Sequence, residues 1–233
     1  MSGKKPVKTS RHFWLNTGMT IVFFAFLLCG ATFAVLAFRP IYYWMIELLH
    51  VPVETGYSAE VCRANYDALI DYNMFFGPKI LEFPDFPMSV NGAIHFKEVK
   101  TIFVAMQYTA MGSAVLLIAG IIAAHKKRAY GWLKATIILT VTVIAVVGFA
   151  MLINWNWTFT IFHKILFRND YWIFNGATDP VIYILPDEVF LVDGAAILLL
   201  MGIGLLIAGL VYRGKKKQLA AVINAKKTKK KAK

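Results

Sequence analysis

Residues 101–153 read TIFVAMQYTAMGSAVLLIAGIIAAHKKRAYGWLKATIILTVTVIAVVGFAMLI. Two apolar runs, Thr101 to Ala124 and Trp132 to Ile153, flank a short turn that holds Lys126, Lys127 and Arg128. Each run matches the roughly 20 apolar residues that a helix needs to cross about 30 Å of hydrocarbon. Two further stretches of the same kind, Leu15 to Phe38 and Ala195 to Tyr212, bring the number of spans to four. The whole chain agrees: 233 residues, 58% hydrophobic, with a formal net charge of +12 and a mean hydropathy of +0.59. Soluble domains rarely combine these values and polytopic membrane proteins often do. No internal repeat and no Gly/Ser linker divides the chain, so residues 1–233 read as a single membrane domain. The expected fold is all-α, with four transmembrane helices carrying an extracytoplasmic cap of interfacial helices and loops.

Charge orients the spans. Lys4, Lys5, Lys8 and Arg11 precede the first, the basic turn joins the second to the third, and Arg213 with a Lys-rich tail follows the fourth. Every Asp and Glu falls between Glu47 and Glu98 or between Asp170 and Asp193. The positive-inside rule therefore predicts cytoplasmic termini and two outer loops, about 39–100 and 154–194. A cleaved signal peptide is the rival reading of the N-terminus, but the apolar run from Leu15 is too long and lacks a small-residue cleavage site. Leu27-Leu28 before Cys29 likewise lacks the small residue of a lipoprotein signal. Directly after a span, the basic tail at 213–233 reads as an anchor for orientation and for anionic lipid headgroups, and not as a nucleic-acid site. Its last residues are expected to be disordered. Cys29 in a span and Cys62 in an outer loop give neither a disulfide nor a metal framework.

The first outer loop is too long to lack structure. Val61 to Tyr72, with Ser58 as N-cap, has apolar positions at helical spacing, Tyr66, Leu69 and Ile70 among them, and a polar face of Asn65, Asp67 and Asp71. Phe76 to Pro87 is broken by proline and glycine. Ser89 or Asn91 then caps the second membrane helix, which places His95 in its first or second turn. Glu98 either orients the His95 ring or complements the helix N-terminus. In the second outer loop Trp155, Trp157, Phe159, Phe162, Phe167, Tyr171, Trp172 and Phe174 form an aromatic belt at headgroup level. Among those rings stand His163, Lys164, Arg168, Asn169 and Asp170, and ionisable groups at that depth are functional candidates. Asp179-Pro180 and Leu185-Pro186-Asp187 read as turns leading to the last span.

No P-loop, dinucleotide fingerprint, His-Glu-x-x-His or Gly-x-Ser-x-Gly is present. Two histidines fall short of the usual three-ligand zinc site, although Asp71 could complete one, and bis-histidine haem normally sits inside a bundle and not at its rim. No metal and no cofactor are expected. Imidazole is the side chain that exchanges protons near pH 7. His95 and His163, on the same outer face, suit aminolysis of an ester: an amine is made neutral, an oxyanion stabilised and an alkoxide protonated. If donor and acceptor belong to one molecule, proximity supplies a high effective molarity and no nucleotide is needed. Rings within about 3 to 7 Å, or bridged by water, could share one reaction centre. The alternatives are a non-enzymatic carrier or assembly factor for lipid or lipoprotein, and a haem carrier.

The motifs Tyr66-x-x-Leu69-Ile70-Asp71-Tyr72, His95-Phe96-x-x-Val99-Lys100, Phe162-His163-x-Ile165-x-Phe167-x-Asn169-Asp170-x-Trp172, Asp179-Pro180-x-Ile182 and Leu185-Pro186 occur in that order on one membrane face. From Tyr66 to the start of the last span the chain resembles the bacterial lipoprotein intramolecular transacylase family, Lit. The resemblance implies an acyltransferase of the bacterial cell membrane, multi-pass, with its active site outside. It implies as partners the membrane lipids and a diacylglyceryl lipoprotein, whose sn-2 acyl chain moves to its N-terminal cysteine amine to give the lyso-form. It implies His95 and His163 as catalytic, and Tyr66, Asp71, Lys100, Asp170, Trp172 and Asp179 as positions that orient the imidazoles or contact substrate. The Pro-rich stretch from Phe76 to Pro87 and the basic tail match no family pattern.

Overall fold

The computed structural model describes residues 12–127 and 129–231, so Lys4, Lys5, Lys8, Arg11 and Arg128 of the orientation argument lie outside the described residues. The elements in chain order are α1 (Phe13–Ala37), α2 (Pro40–Leu48), α3 (Val51–Thr55), α4 (Ala59–Asn73), α5 (Val90–Lys127), α6 (Gly131–Ile153), α7 (Trp155–Leu166), a 3-10 turn (Pro180–Ile184) and α8 (Asp187–Lys231). There is no strand among the described residues. The helices α1, α5, α6 and α8 are long and apolar enough to cross a membrane, and they are the four spans read from the sequence. Central to the bundle is α1, which packs on α5, α6 and α8, while α6 also packs on α8. These helices are apolar around their whole circumference, as expected where lipid replaces water as solvent. Small residues let them approach closely: Gly120 leaves room for Met19, and Gly204 for Leu27, where any Cβ would overlap the neighbouring side chain.

At one end of the bundle, α2, α3, α4 and the 3-10 turn close over the starts of α5 and α8 as a cap. Its core is dry: Tyr42, Ile46, Cys62, Val181 and Ile184 are fully buried. The Tyr42 ring stacks on Tyr66 with centroids 3.7 Å apart. A buried phenol needs a partner, and the Tyr42 hydroxyl donates to the Ile184 carbonyl at 2.9 Å. Pro40 sits at the first position of α2, where its missing N–H costs nothing. His50 in the left-handed region, at φ 52°, turns the chain sharply from α2 into α3.

The sequence expectation for α4 is close, with Ser58 Oγ accepting from the Val61 N–H at 3.3 Å. Asn65 differs. It is fully buried and not on a wet face, because the Pro-rich stretch folds back over it. Asn65 Nδ2 donates to Asp85 Oδ2 at 2.7 Å, and the Asp85 N–H donates to Asn65 Oδ1 at 3.2 Å. The expected disorder of the basic tail is also corrected, since α8 continues to Lys231. Residues 215–231 contain no glycine or proline and are rich in Lys and Ala, which are good helix formers.

Candidate active site

Two chain segments far apart in sequence meet at the start of α5. Ser89 is the cap, its Oγ accepting from the Gly92 N–H at 3.0 Å. The Ser89 N–H in turn donates to Asp179 Oδ1 at 2.8 Å, and the Thr178 hydroxyl donates to Asp179 Oδ2 at 2.7 Å. Asp179 is buried, so its carboxylate satisfies one of the orphan donors at the helix start and complements the macrodipole there. Gly92 is required for this approach, because a Cβ at that position would overlap the Asp179 carboxylate and lie 3.3 Å from the Phe174 ring. His95 follows three residues later on the same face of the helix, with its ring centroid 5.5 Å from that of Phe174.

The second histidine arrives on α7. Asn154 ends α6 and starts α7, its Oδ1 accepting from the Trp157 N–H at 2.9 Å. His163 lies in the last turn of this twelve-residue helix. Its Nδ1 is 2.8 Å from the Phe159 carbonyl. A carbonyl only accepts, so the proton resides on Nδ1 and Nε2 carries the free lone pair.

The two imidazole centroids are 6.2 Å apart, their planes inclined by 34°. Phe167 touches both, at 4.7 Å from His95 and 5.7 Å from His163. Phe159 and Trp172, at 4.0 and 4.8 Å, complete the wall around His163. His95 is 5% exposed, and its Nδ1 has no hydrogen-bond partner among the described residues. His163 is half-buried. Burial pushes its pKa below the usual histidine range, opposed by the Phe159 carbonyl and the Asp187 carboxylate. The ring is therefore neutral at neutral pH and suited to accept a proton.

Of the positions read from the sequence, His95, His163 and Trp172 converge in this crevice, and Asp179 acts on it through the start of α5. The others have different partners. Tyr66 belongs to the cap core on Tyr42. Asp71 pairs with Arg39, which also holds Asp67 at 3.1 Å. Lys100 Nζ donates to the Gly77 and Pro78 carbonyls and lies 4.3 Å from the Tyr72 ring centre, pinning the Pro-rich loop to α5. Asp170 is exposed, and its backbone carbonyl accepts from the Ile173 N–H at 3.1 Å. Glu98 faces Asn169 and not the His95 ring, accepting from Asn169 Nδ2 at 3.0 and 3.2 Å. The Asn169 carbonyl then accepts from Trp172 Nε1 at 3.1 Å. This Glu98–Asn169–Trp172 chain, which locks one wall of the crevice, is absent from the sequence reading because nothing local links residues 98 and 169.

The family model described as lipoprotein intramolecular transacylase Lit matches residues 17–190. The chain belongs to the Lit family. It is thus a membrane-integral acyltransferase. A crystal structure of Lit from Bacillus cereus is 32% identical, covers 89% of this chain and 97% of its own, and superposes with a TM-score of 0.85. Two variants of that Bacillus cereus Lit, with one histidine replaced by arginine or by alanine, are also 32% identical, with TM-scores of 0.78. They cover 90% and 89% of this chain, and 93% and 94% of theirs. No curated protein matches the chain.

Proposed function

We propose that this chain moves the sn-2 acyl group of a membrane-anchored diacylglyceryl lipoprotein onto the α-amine of that lipoprotein's N-terminal cysteine. The observation that carries the reading is the pair of imidazoles 6.2 Å apart in one aromatic crevice, one with a free Nε2 lone pair and the other with an unpartnered ring nitrogen. The amine attacks the ester carbonyl as His163 Nε2 takes its proton. A ring N–H of neutral His95 donates to the oxyanion, the use of a buried donor that stabilises a tetrahedral intermediate most. The C–O bond to the glyceryl oxygen then breaks, and the His163 imidazolium protonates that oxygen. One N–C bond forms, one C–O bond is lost, and ester and amine become amide and hydroxyl. Both reactants lie in one molecule, so positioning supplies much of the rate.

Substrate entry fits the same site. Phe162 and Ile165 on α7 are exposed at the rim, which suits acyl chains arriving laterally from the bilayer. The cap faces outward and both termini inward in this reading, supported by the confinement of all carboxylates to the two cap-side segments and the start of α8.

Mass spectrometry of the N-terminal lipopeptide tests the proposal. Incubation with the purified chain is expected to leave total mass unchanged while one acyl group passes from glyceryl oxygen to nitrogen. A free acid product, or an unchanged acyl position, would overturn it. The pH profile gives a second expectation. The base works as neutral imidazole, and the pKa of His163 lies below the ordinary ~6.5. Activity should therefore persist as pH falls to about 6.5 and decline only below it. Asp187→Asn removes a carboxylate that favours the imidazolium, so the acid limb should move to still lower pH. A shift to higher pH would contradict this role for His163.

A further inference from the structure

At the end of the bundle opposite the cap, a cavity of about 370 Å³ opens where the ends of α5, α6 and α8 meet. Its walls are apolar, formed by Ile121, Ile122, Leu133 and Val211, and its mouth carries Lys126 and Lys215. Tyr130 also lines the cavity, with its hydroxyl 3.2 Å from His125 Nδ1 and its ring centre 5.9 Å from Lys215 Nζ. No carboxylate is at hand to neutralise these cations: no Asp or Glu precedes Glu47, lies between Glu98 and Asp170, or follows Asp193. Trp132 also lines the cavity, 5% exposed and with its ring edge-on to that of Phe23, centroids 5.6 Å apart.

We infer that this cavity is a binding site for an anionic glycerophospholipid, its phosphodiester held by Lys126 and Lys215 at the mouth and its acyl chain lying against the apolar walls. Basic pockets between membrane helices recognise anionic headgroups in this way. A soluble anion would leave the apolar walls bare, and a zwitterionic lipid would leave the two lysines uncompensated. The site is remote from the histidine crevice and independent of the reaction performed there.

Native mass spectrometry of the full chain in detergent, titrated with dioleoyl phosphatidylglycerol, dioleoyl phosphatidylcholine or sn-glycerol 3-phosphate, tests the assignment. Phosphatidylglycerol should bind the wild-type chain most tightly. Lys126→Gln with Lys215→Gln should weaken it about twenty-five-fold, roughly fivefold for each lysine. Lys216→Gln with Lys217→Gln removes the same charge from exposed neighbours outside the cavity and should change binding by less than about twofold. Equal weakening by the two double variants would mean diffuse attraction to a basic surface and overturn the site. So would phosphatidylcholine or glycerol phosphate binding as well as phosphatidylglycerol, or no binding of phosphatidylglycerol.

Discussion

Replacing His163 by alanine is expected to slow acyl transfer by about 10²- to 10⁴-fold, the range of a positioned general acid–base group, while the chain remains folded. The ring is half-buried on α7, a helix with no buried residue, so its removal leaves the cap core of Tyr42, Ile46 and Ile184 untouched. His95→Ala should cost a similar factor through the lost oxyanion donor. Phe162→Ala, which removes an exposed apolar ring next to His163, should act mainly on substrate binding and raise KM. A carrier without catalytic chemistry reverses this order, tolerating the loss of either histidine and failing without Phe162. Conversion assays on the three purified variants, with melting temperature as the check on folding, distinguish the two.

The second large effect belongs to a residue that touches neither imidazole. Asp179→Ala should destabilise the protein by about 3 kcal/mol, because the Ser89 N–H loses a charged acceptor in a buried position and the start of α5 loses its anion. Activity should fall as well, since His95 is positioned by that first turn and Phe174 packs against Gly92. Asp179→Asn keeps an oxygen toward Ser89 without the charge and should recover part of both. Thermal unfolding in detergent measures the first quantity and lipopeptide conversion the second. Full stability and full activity in Asp179→Ala would mean that the contact between the two segments does not position His95.

What could be read from the sequence divides along a physical line. The spans, the Ser58 and Ser89 caps and the location of both histidines at one end follow from local signals: apolar run length, capping residues and the distribution of charge. Contacts between distant segments have no such signal. Asn65 occupies a polar position on the α4 surface, yet the loop that buries it carries no periodicity of its own. Lys100 and Asp71 read as candidates for substrate because they are charged residues within motifs, and their partners, the Gly77 and Pro78 carbonyls and Arg39, lie outside those motifs. The Phe159 carbonyl, which fixes the tautomer of His163, is a backbone group and is invisible to any reading of side chains.

The account depends on the two imidazoles serving one reaction centre, and a double-mutant cycle on the transfer rate addresses that directly. Groups that act as a unit are strongly non-additive. His95→Ala combined with His163→Ala is therefore predicted to be no more than about threefold slower than the slower single variant. Losses that multiply, so that the double variant falls by the full product of the two single effects, would show the histidines acting independently and contradict the shared centre.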